Sequence, residues 1–261
     1  MSPVQCRVGL FVSCLVDVMR PVVGFSCISL LERAGCEVVV PLEQTCCGQP
    51  ALNSGDRQSV CTLAPKIFSA FLDVDAIVTP SASCAATLKF QLAMVVKDNH
   101  PELSERAEAF SAKVFELTEF LAHQGYESVI QSSFDVRVAY HEACSAKRDL
   151  GLTSKPRNLL KKVKGCSLVE LADKDTCCGF GGLFSEKFPD ISNAMVDKKC
   201  QAIAAAKVDL VVSTELGCLL NIAGKLSHSG LAIPCRHIAE VLAGDLSAPP
   251  LAMAGPDAGA H

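Results

Sequence analysis

Thr45-Cys46-Cys47-Gly48 and Thr176-Cys177-Cys178-Gly179 are the same four residues met twice in one chain. Reading outward from each doublet, a cysteine stands 32 or 33 residues upstream, Cys14 for the first and Cys144 for the second. Another stands 37 or 40 residues downstream, Cys84 and Cys218. The offsets between equivalents are 130, 131, 131 and 134, so the cysteines alone describe an internal repeat of about 130 residues. Each repeat then owns a quartet, Cys14/Cys46/Cys47/Cys84 or Cys144/Cys177/Cys178/Cys218, and four thiolates are the ligand count of a metal or iron–sulfur site.

The segments between the cysteines decide the fold class. Arg7 to Ser13 is a short apolar run that reads as a buried strand, with Cys14 at its end. Pro21 opens a helix that Gly35 closes, Cys36 to Val40 is a second strand, and Pro41 to Thr45 delivers the first doublet. A helix over Arg57 to Phe71 carries Pro65 inside it, Asp75 to Thr79 is a third strand, and Cys84 follows in the next turn. Helices over Glu102 to Ala112 and Thr118 to Gln124 flank a fourth strand at Lys113 to Glu116.

The second half repeats this plan. Strands are expected at Val136 to Tyr140, Cys166 to Leu171, Leu210 to Ser213 and Ile233 to His237, with a helix from Pro156 that Gly165 closes. Strands alternating with helices imply an α/β fold, here two pseudo-two-fold-related Rossmann-like halves, each a mostly parallel sheet with flanking helices. The divisions read as a first repeat over 1–125, a linker over 126–135, a second repeat over 136–246 and a disordered Ala/Pro/Gly-rich tail over 247–261. Every quartet cysteine falls just after a strand, where ligands collect in parallel sheets.

Composition narrows the chemistry. A net charge of −4, no Trp and two Tyr argue against a nucleic-acid partner. No apolar run is long enough for a transmembrane segment. Val8 to Val16 resembles a short signal-peptide core, and Phe11-Val12-Ser13-Cys14 a lipoprotein cleavage site with Cys14 as the lipid-bearing residue, but Cys14 has a counterpart deep in the chain, which a signal peptide would not. Fifteen cysteines, an odd number in a long chain, suit a reduced cytoplasmic protein whose thiols hold metal. Seven of them, Cys6, Cys27, Cys36, Cys61, Cys166, Cys200 and Cys235, read as ordinary buried residues.

Zinc and iron–sulfur both remain open for the quartets. The chain lacks the Cys-x-x-Cys knuckles usual in a structural zinc site, and adjacent cysteines suit neighbouring irons; one zinc and one cluster is a further arrangement. Gly179-Phe180-Gly181-Gly182 follows the second doublet and can bring backbone N–H groups to cluster sulfurs. His141, three residues before Cys144, has no equivalent in the first half and is the candidate proton donor, hydrogen-bond donor or ligand; a loop histidine capping the backbone is the plain alternative. The basic stretch Lys147, Arg148, Lys155, Arg157, Lys161, Lys162 and Lys164 is either a solvated face or a docking surface for an acidic partner or anionic substrate.

These motifs resemble the cysteine-rich CCG domain family, which includes a cysteine-rich component of heterodisulfide reductase and the iron–sulfur subunit of glycolate oxidase. The likeness is strongest to its lactate-utilization protein A, or LldE, type. It rests on residues 11–17, 44–55, 79–86, 175–182 and 216–222 and spans about 7–245. The resemblance implies an iron–sulfur subunit of an L-lactate dehydrogenase-type oxidoreductase that converts lactate to pyruvate, with the eight quartet cysteines as ligands. It implies two partners, a lactate-utilization protein B-type ferredoxin-like iron–sulfur component and a protein C-type component, and a cytoplasmic place that is peripheral to the inner membrane face through them. A heterodisulfide-reductase-like thiol/disulfide subunit and a zinc-bound scaffold are the alternatives.

Two departures matter. The fuller family pattern ends each repeat in Cys-x-x-Cys, whereas this chain has Ser81 and Glu215 at the first of those positions, which favours a four-thiolate 4Fe-4S cluster. The run after His141 also departs from the lactate group, which weakens a proton role for that loop. Since the glycine-rich loop, the histidine and the basic stretch all belong to the second quartet, the second site is expected to be the more redox-active and the first a structural or relay site.

Overall fold

The computed structural model describes residues 6–172 and 174–252. In the first half the elements run β1 (Arg7–Leu10), α1 (Cys14–Met19), α2 (Val22–Arg33), β2 (Glu37–Val39), α3 (Gln49–Ser54), α4 (Arg57–Ala70), β3 (Ala76–Thr79) and α5 (Ala82–Ala86). A π-helical segment, Thr87–Gln91, joins α5 to α6 (Leu92–Asn99), and α7 (Ser104–Ala112), β4 (Val114–Glu116) and α8 (Leu117–His123) complete the half. The second half runs β5 (Ser133–Tyr140), α9 (Cys144–Arg148), α10 (Lys155–Leu160), β6 (Lys164–Val169), α11 (Leu183–Lys187), α12 (Pro189–Ala205), β7 (Leu210–Ser213), α13 (Leu216–His228), β8 (Cys235–His237) and α14 (Ile238–Ala243).

Both sheets are four-stranded and parallel, in the orders β2-β1-β3-β4 and β6-β5-β7-β8. The strand order reverses between β1 and β3, and between β5 and β7. In such sheets the crevice at the reversal is the place for a ligand. The repeat extends to the far end of each sheet, where the main-chain N–H of Arg7 donates to Asp75 at 2.7 Å and that of Arg137 to Asp209 at 2.8 Å.

Three apolar clusters hold the molecule. One lies within the first half around Phe11, Phe68, Phe71 and Phe110, and one almost wholly within the second around Ile203, Leu219, Ile222 and Leu226. The third is shared: Leu10, Leu30, Leu31 and Phe120 of the first half pack with Val138, Leu159, Ile238 and Leu242 of the second. Arg20 crosses the same boundary to meet Glu240 at 2.6 Å, and Arg236 meets that carboxylate at 2.9 Å, all three side chains buried. A buried carboxylate is tolerated here because two guanidinium groups compensate its lost hydration.

Some local expectations shift. Gly165 does not close a helix; it lies inside β6 with φ 81°, where a Cβ would stand 2.7 Å from the carbonyl oxygen of Phe134. Lys155–Leu160 ends earlier, and the strand begins soon after it. Part of the span read as linker is structured, because β5 starts at Ser133. Leu251, in the span read as disordered, exchanges two 2.9 Å backbone hydrogen bonds with Cys235; residues 253–261 of that span lie outside the described residues. Among the described residues no helix is long and apolar enough to cross a membrane.

Candidate metal centres

In each half three loops at the C-terminal sheet edge deliver the four thiols. Cys14 opens α1 just after β1, Cys84 sits in α5 just after β3, and the doublet follows β2. Cys144, Cys218 and the second doublet take the same places after β5, β7 and β6. The sulfurs meet as predicted from spacing. Cys14 hydrogen-bonds Cys46, Cys46 is hydrogen-bonded also to Cys47, and Cys47 Sγ lies 3.4 Å from Cys84 Sγ. Cys144, Cys177, Cys178 and Cys218 form the same chain of contacts. All fifteen cysteines are free thiols.

The doublet turns explain the Cys-Cys-Gly sequence. Gly48 and Gly179 both adopt a left-handed conformation, φ 89° and 79°. That turn points successive N–H groups back at the sulfurs, and any side chain would strain it. Gly179 N–H approaches Cys177 Sγ at 3.4 Å and Phe180 N–H approaches Cys178 Sγ at 3.5 Å. The N–H groups of Gly48 and Gln49 serve Cys46 and Cys47 in the same way. Backbone donation to sulfur is therefore common to both sites and not a privilege of the second, contrary to the weight the glycine-rich loop suggested.

The first cysteine of each doublet is the natural thiolate. Cys46 is held well below the usual thiol range by the S–H groups of Cys14 and Cys47, then by backbone N–H groups. Cys177 is held down the same way by Cys144 and Cys178. Their partners Cys14 and Cys144 are correspondingly pushed up by giving that hydrogen bond and by burial. The loops are braced by amides: Val12 N–H donates to Gln44 Oε1 at 2.8 Å, and Asn221 donates to the Cys178 carbonyl at 2.8 Å.

His141 sits at the end of β5, fully buried, with neither ring nitrogen hydrogen-bonded to the described residues. A ring nitrogen and the sulfurs of Cys178 and Cys218 all lie within 4.8 Å of one another. Burial, first, and the Lys199 charge, second, push its pKa down to about 3, so the ring is neutral and can donate one hydrogen bond or lend one lone pair. Of the seven cysteines read as ordinary, Cys27, Cys36, Cys61, Cys200 and Cys235 are buried, and Cys6 and Cys166 are half-buried.

Three of the seven residues of the basic stretch are committed to acidic neighbours. Arg157 meets Glu142 at 2.6 Å and Glu170 at 2.7 Å, Lys147 pairs with Asp175 and lies 3.5 Å from Glu142, and Lys162 meets Glu127 at 3.2 Å. One relation escapes the sequence reading: Ser81 and Glu215, the two departures from Cys-x-x-Cys, touch each other. Their equivalent places in the repeat are the signal that could reveal it.

The donor set fits a thiolate-held metal group. Each nest offers four sulfurs, N–H donors aimed at them and, in the second, a buried histidine with unpaired nitrogens, whereas a purely structural cluster of thiols needs none of these.

Comparison with known proteins agrees with this geometry. The family model described as cysteine-rich domain, CCG, matches residues 8–89 and 138–223, one match per half. The chain is 42% identical over 236 residues to lactate utilization protein A of Halalkalibacterium halodurans, covering 90% of this chain and 96% of that one. It is 44% identical over 236 residues to lactate utilization protein A of Geobacillus thermodenitrificans, covering 90% and 98%. Among solved structures, a hypothetical protein from Helicobacter pylori superposes with a TM-score of 0.58 at 11% identity. That match covers 95% of this chain and 52% of the other, a likeness of fold.

Proposed function

Because the chain belongs to the cysteine-rich CCG domain family, we propose that it is the iron–sulfur subunit of a multi-subunit system that oxidises L-lactate to pyruvate. The observation that carries this reading is the pair of four-thiol nests at the crevices where each sheet reverses, in a chain similar over nine-tenths of its length to proteins named for lactate utilization. Cys14, Cys46, Cys47 and Cys84 would hold one group, and Cys144, Cys177, Cys178 and Cys218 the other. A 4Fe-4S cluster, when bound, accepts and releases single electrons, which no side chain here does unaided.

The chain's own residues supply the rest. The paired N–H groups of each doublet turn stabilise negative charge on sulfur, and the surrounding apolar cores keep water from Cys47, Cys84, Cys178 and Cys218. Neutral His141 holds a proton or a lone pair beside Cys178 and Cys218. It is the residue best placed to donate a hydrogen bond to a sulfur of the second site. The partners in this reading are a ferredoxin-like protein B-type component and a protein C-type component, in the cytoplasm, with residues 1–125 and 136–246 acting as the two cluster-bearing repeats.

His141 is also the one observation that favours zinc in the second site, since a nitrogen beside thiolates is a donor set zinc accepts. Anaerobic purification with iron, acid-labile sulfide and zinc analysis decides. The expected results are about four iron and four sulfide per quartet, as a 4Fe-4S cluster requires, a visible absorption band bleached by reductant, and lactate-dependent bleaching in the reconstituted three-protein system. A colourless chain with stoichiometric zinc in both quartets would remove the redox reading. Turnover of a disulfide but not of lactate would move the chain to the heterodisulfide-reductase type.

A further inference from the structure

Glu215 belongs to the second half and immediately precedes α13, the helix that carries Cys218. Its carboxylate nevertheless reaches the first half. Ser83 N–H donates to Glu215 Oε2 at 2.9 Å, and the Ser81 hydroxyl lies 3.1 Å from Oε2 and 3.3 Å from Oε1. Ser81 is the N-cap of α5, and its Oγ accepts from the N–H of Cys84 at 3.2 Å. A continuous line of hydrogen bonds thus runs from Cys84 N–H through Ser81 to Glu215, three residues from Cys218. Glu215, Ser81 and Cys84 are all buried, so water cannot replace these bonds.

The helices around this contact are exchanged between the halves. α5, which bears Cys84, packs against α9, which bears Cys144, and α1, which bears Cys14, packs against α13, which bears Cys218. α5 is also a weak carrier for its cysteine. It is five residues long and runs straight into the π-helical segment, so little of its own hydrogen bonding fixes where Cys84 stands. A carboxylate accepting two hydrogen bonds at its start supplies what the helix lacks.

We propose that Glu215 is a positioning residue for the first quartet, so that the first metal site is completed by the second half of the chain. The proposal rests on the reading of the quartets as metal sites and adds that the two are mechanically joined. Sequence position alone would assign Glu215 to the second site, because it stands beside Cys218; apart from one bond from Gly217 N–H, its hydrogen bonds assign it to the first.

Cobalt(II), whose thiolate charge-transfer and d–d bands report tetrathiolate binding without requiring iron, is the probe. The full-length chain with Cys177→Ser and Cys178→Ser leaves the first quartet; the chain with Cys46→Ser and Cys47→Ser leaves the second. In the first background Glu215→Ala is expected to weaken cobalt binding about tenfold, the equivalent of one charge-assisted hydrogen bond at about 1.4 kcal/mol per decade. In the second background it is expected to change binding less, about threefold or below, because the only bond lost there is the weaker one from Gly217 N–H at the start of α13. Glu215→Gln keeps an acceptor for Ser83 N–H and is expected to restore most of the first-site affinity, with unchanged far-ultraviolet circular dichroism throughout.

Equal losses at both sites, a loss confined to the second, or no loss at the first would overturn the proposal. Absence of cobalt bands in the parent of both backgrounds would overturn the metal reading itself, and the coupling with it. Normal parental binding with an unselective Glu215→Ala effect would overturn the coupling alone.

Discussion

The two quartets have the same thiol contacts, the same left-handed glycine and the same N–H groups aimed at sulfur, yet they stand in different rims. Around the first, Cys14 is exposed and its helix shows Val18 and Met19 to solvent, with Leu42 94% exposed in the loop after β2. Around the second, Cys144 is half-buried, its helix carries Lys147 and Arg148, and Glu142 gathers Arg157 and Lys147. Cys218 rides on an unbroken 13-residue helix, whereas Cys84 rides on five residues and a π-helical segment. The thiols are duplicated; the rims are not.

The largest expected effect tests that division directly. Cys178→Ser should abolish lactate-dependent reduction in the reconstituted system while leaving the fold, read by circular dichroism, largely intact. Cys47→Ser should mainly lower metal content and thermal stability, because metal binding contributes folding free energy. A Cys47→Ser chain that keeps its full metal load but loses turnover, beside an active Cys178→Ser chain, would reverse the assignment.

A second contrast lies at the last strand of each half. Glu116 ends β4 and His237 ends β8, and each is the N-cap of the following helix in a capping box with Glu119 or Glu240. Both are fully buried, with opposite consequences. Burial raises the Glu116 carboxyl to about 7, against hydrogen bonds from Thr118 and Glu119. Burial lowers His237 to about 4, against the Glu240 charge. The folded state therefore holds the Glu116 proton more tightly than the unfolded chain does, so stability is lost as pH rises from about 4.5 through 7. His237 is neutral when folded, so stability is lost as pH falls from about 6.5 through 4. Each shift spans about 3 kcal/mol across its window. The two windows overlap with opposite slopes. In denaturant unfolding of the metal-free chain, Glu116→Gln should therefore remove the falling limb and leave stability rising from about pH 4 to 6.5. His237→Gln should remove the rising limb and leave it falling from about pH 4.5 to 7. An unchanged limb in either variant would show that its residue is not the one titrating.

The glycines of the two doublets separate next. A Cβ on Gly179 would stand 2.6 Å from the Ser192 carbonyl oxygen, while one on Gly48 would meet nothing nearer than Val60 at 3.6 Å. Both would carry the left-handed strain of about 1–2 kcal/mol. Only Gly179→Ala adds a backbone clash, so it should cost about 1–2 kcal/mol more than Gly48→Ala in chemical unfolding. Equal costs would mean that α12 yields, and that the second doublet is less firmly held than its contacts indicate.

Much of this was legible in the chain. Duplicated cysteines after apolar runs predicted two parallel sheets and eight converging thiols, because strand periodicity and ligand count are local properties. What stayed hidden depends on distance in sequence. Gly165 reads as a helix end, and only the nearby Phe134 carbonyl shows that it lets β6 pass close to β5. The π-helical segment over Thr87–Gln91 has no compositional mark. His141 looks like a loop residue until β5 and β7 pair, when its N–H bonds the Val212 carbonyl at 2.7 Å and the ring is drawn inside. Ser81 and Glu215 are each visible as missing cysteines, but their contact exists only once two halves meet.

The smallest expected effect concerns the basic stretch, where sequence left a solvated face and a docking surface both open. Lys147, Arg157 and Lys162 are occupied by Glu142, Glu170, Asp175 and Glu127, and most of these pairs tie α9, α10 and β6 to their own half. Arg148, Lys161 and Lys164 are its exposed members without a salt bridge among the described residues. Exposed charges of this kind are worth little to stability and act on partners mainly through encounter rate, an effect that salt screens over about 8–10 Å. If the stretch is a solvated face, Lys161→Glu with Lys164→Glu should change the lactate-dependent reduction rate less than about twofold, equally at low and high salt. A fall of about tenfold or more at low ionic strength that disappears at high salt would instead make this rim an electrostatic landing surface. The second site would then face a charged partner, leaving the apolar rim of the first to a different contact.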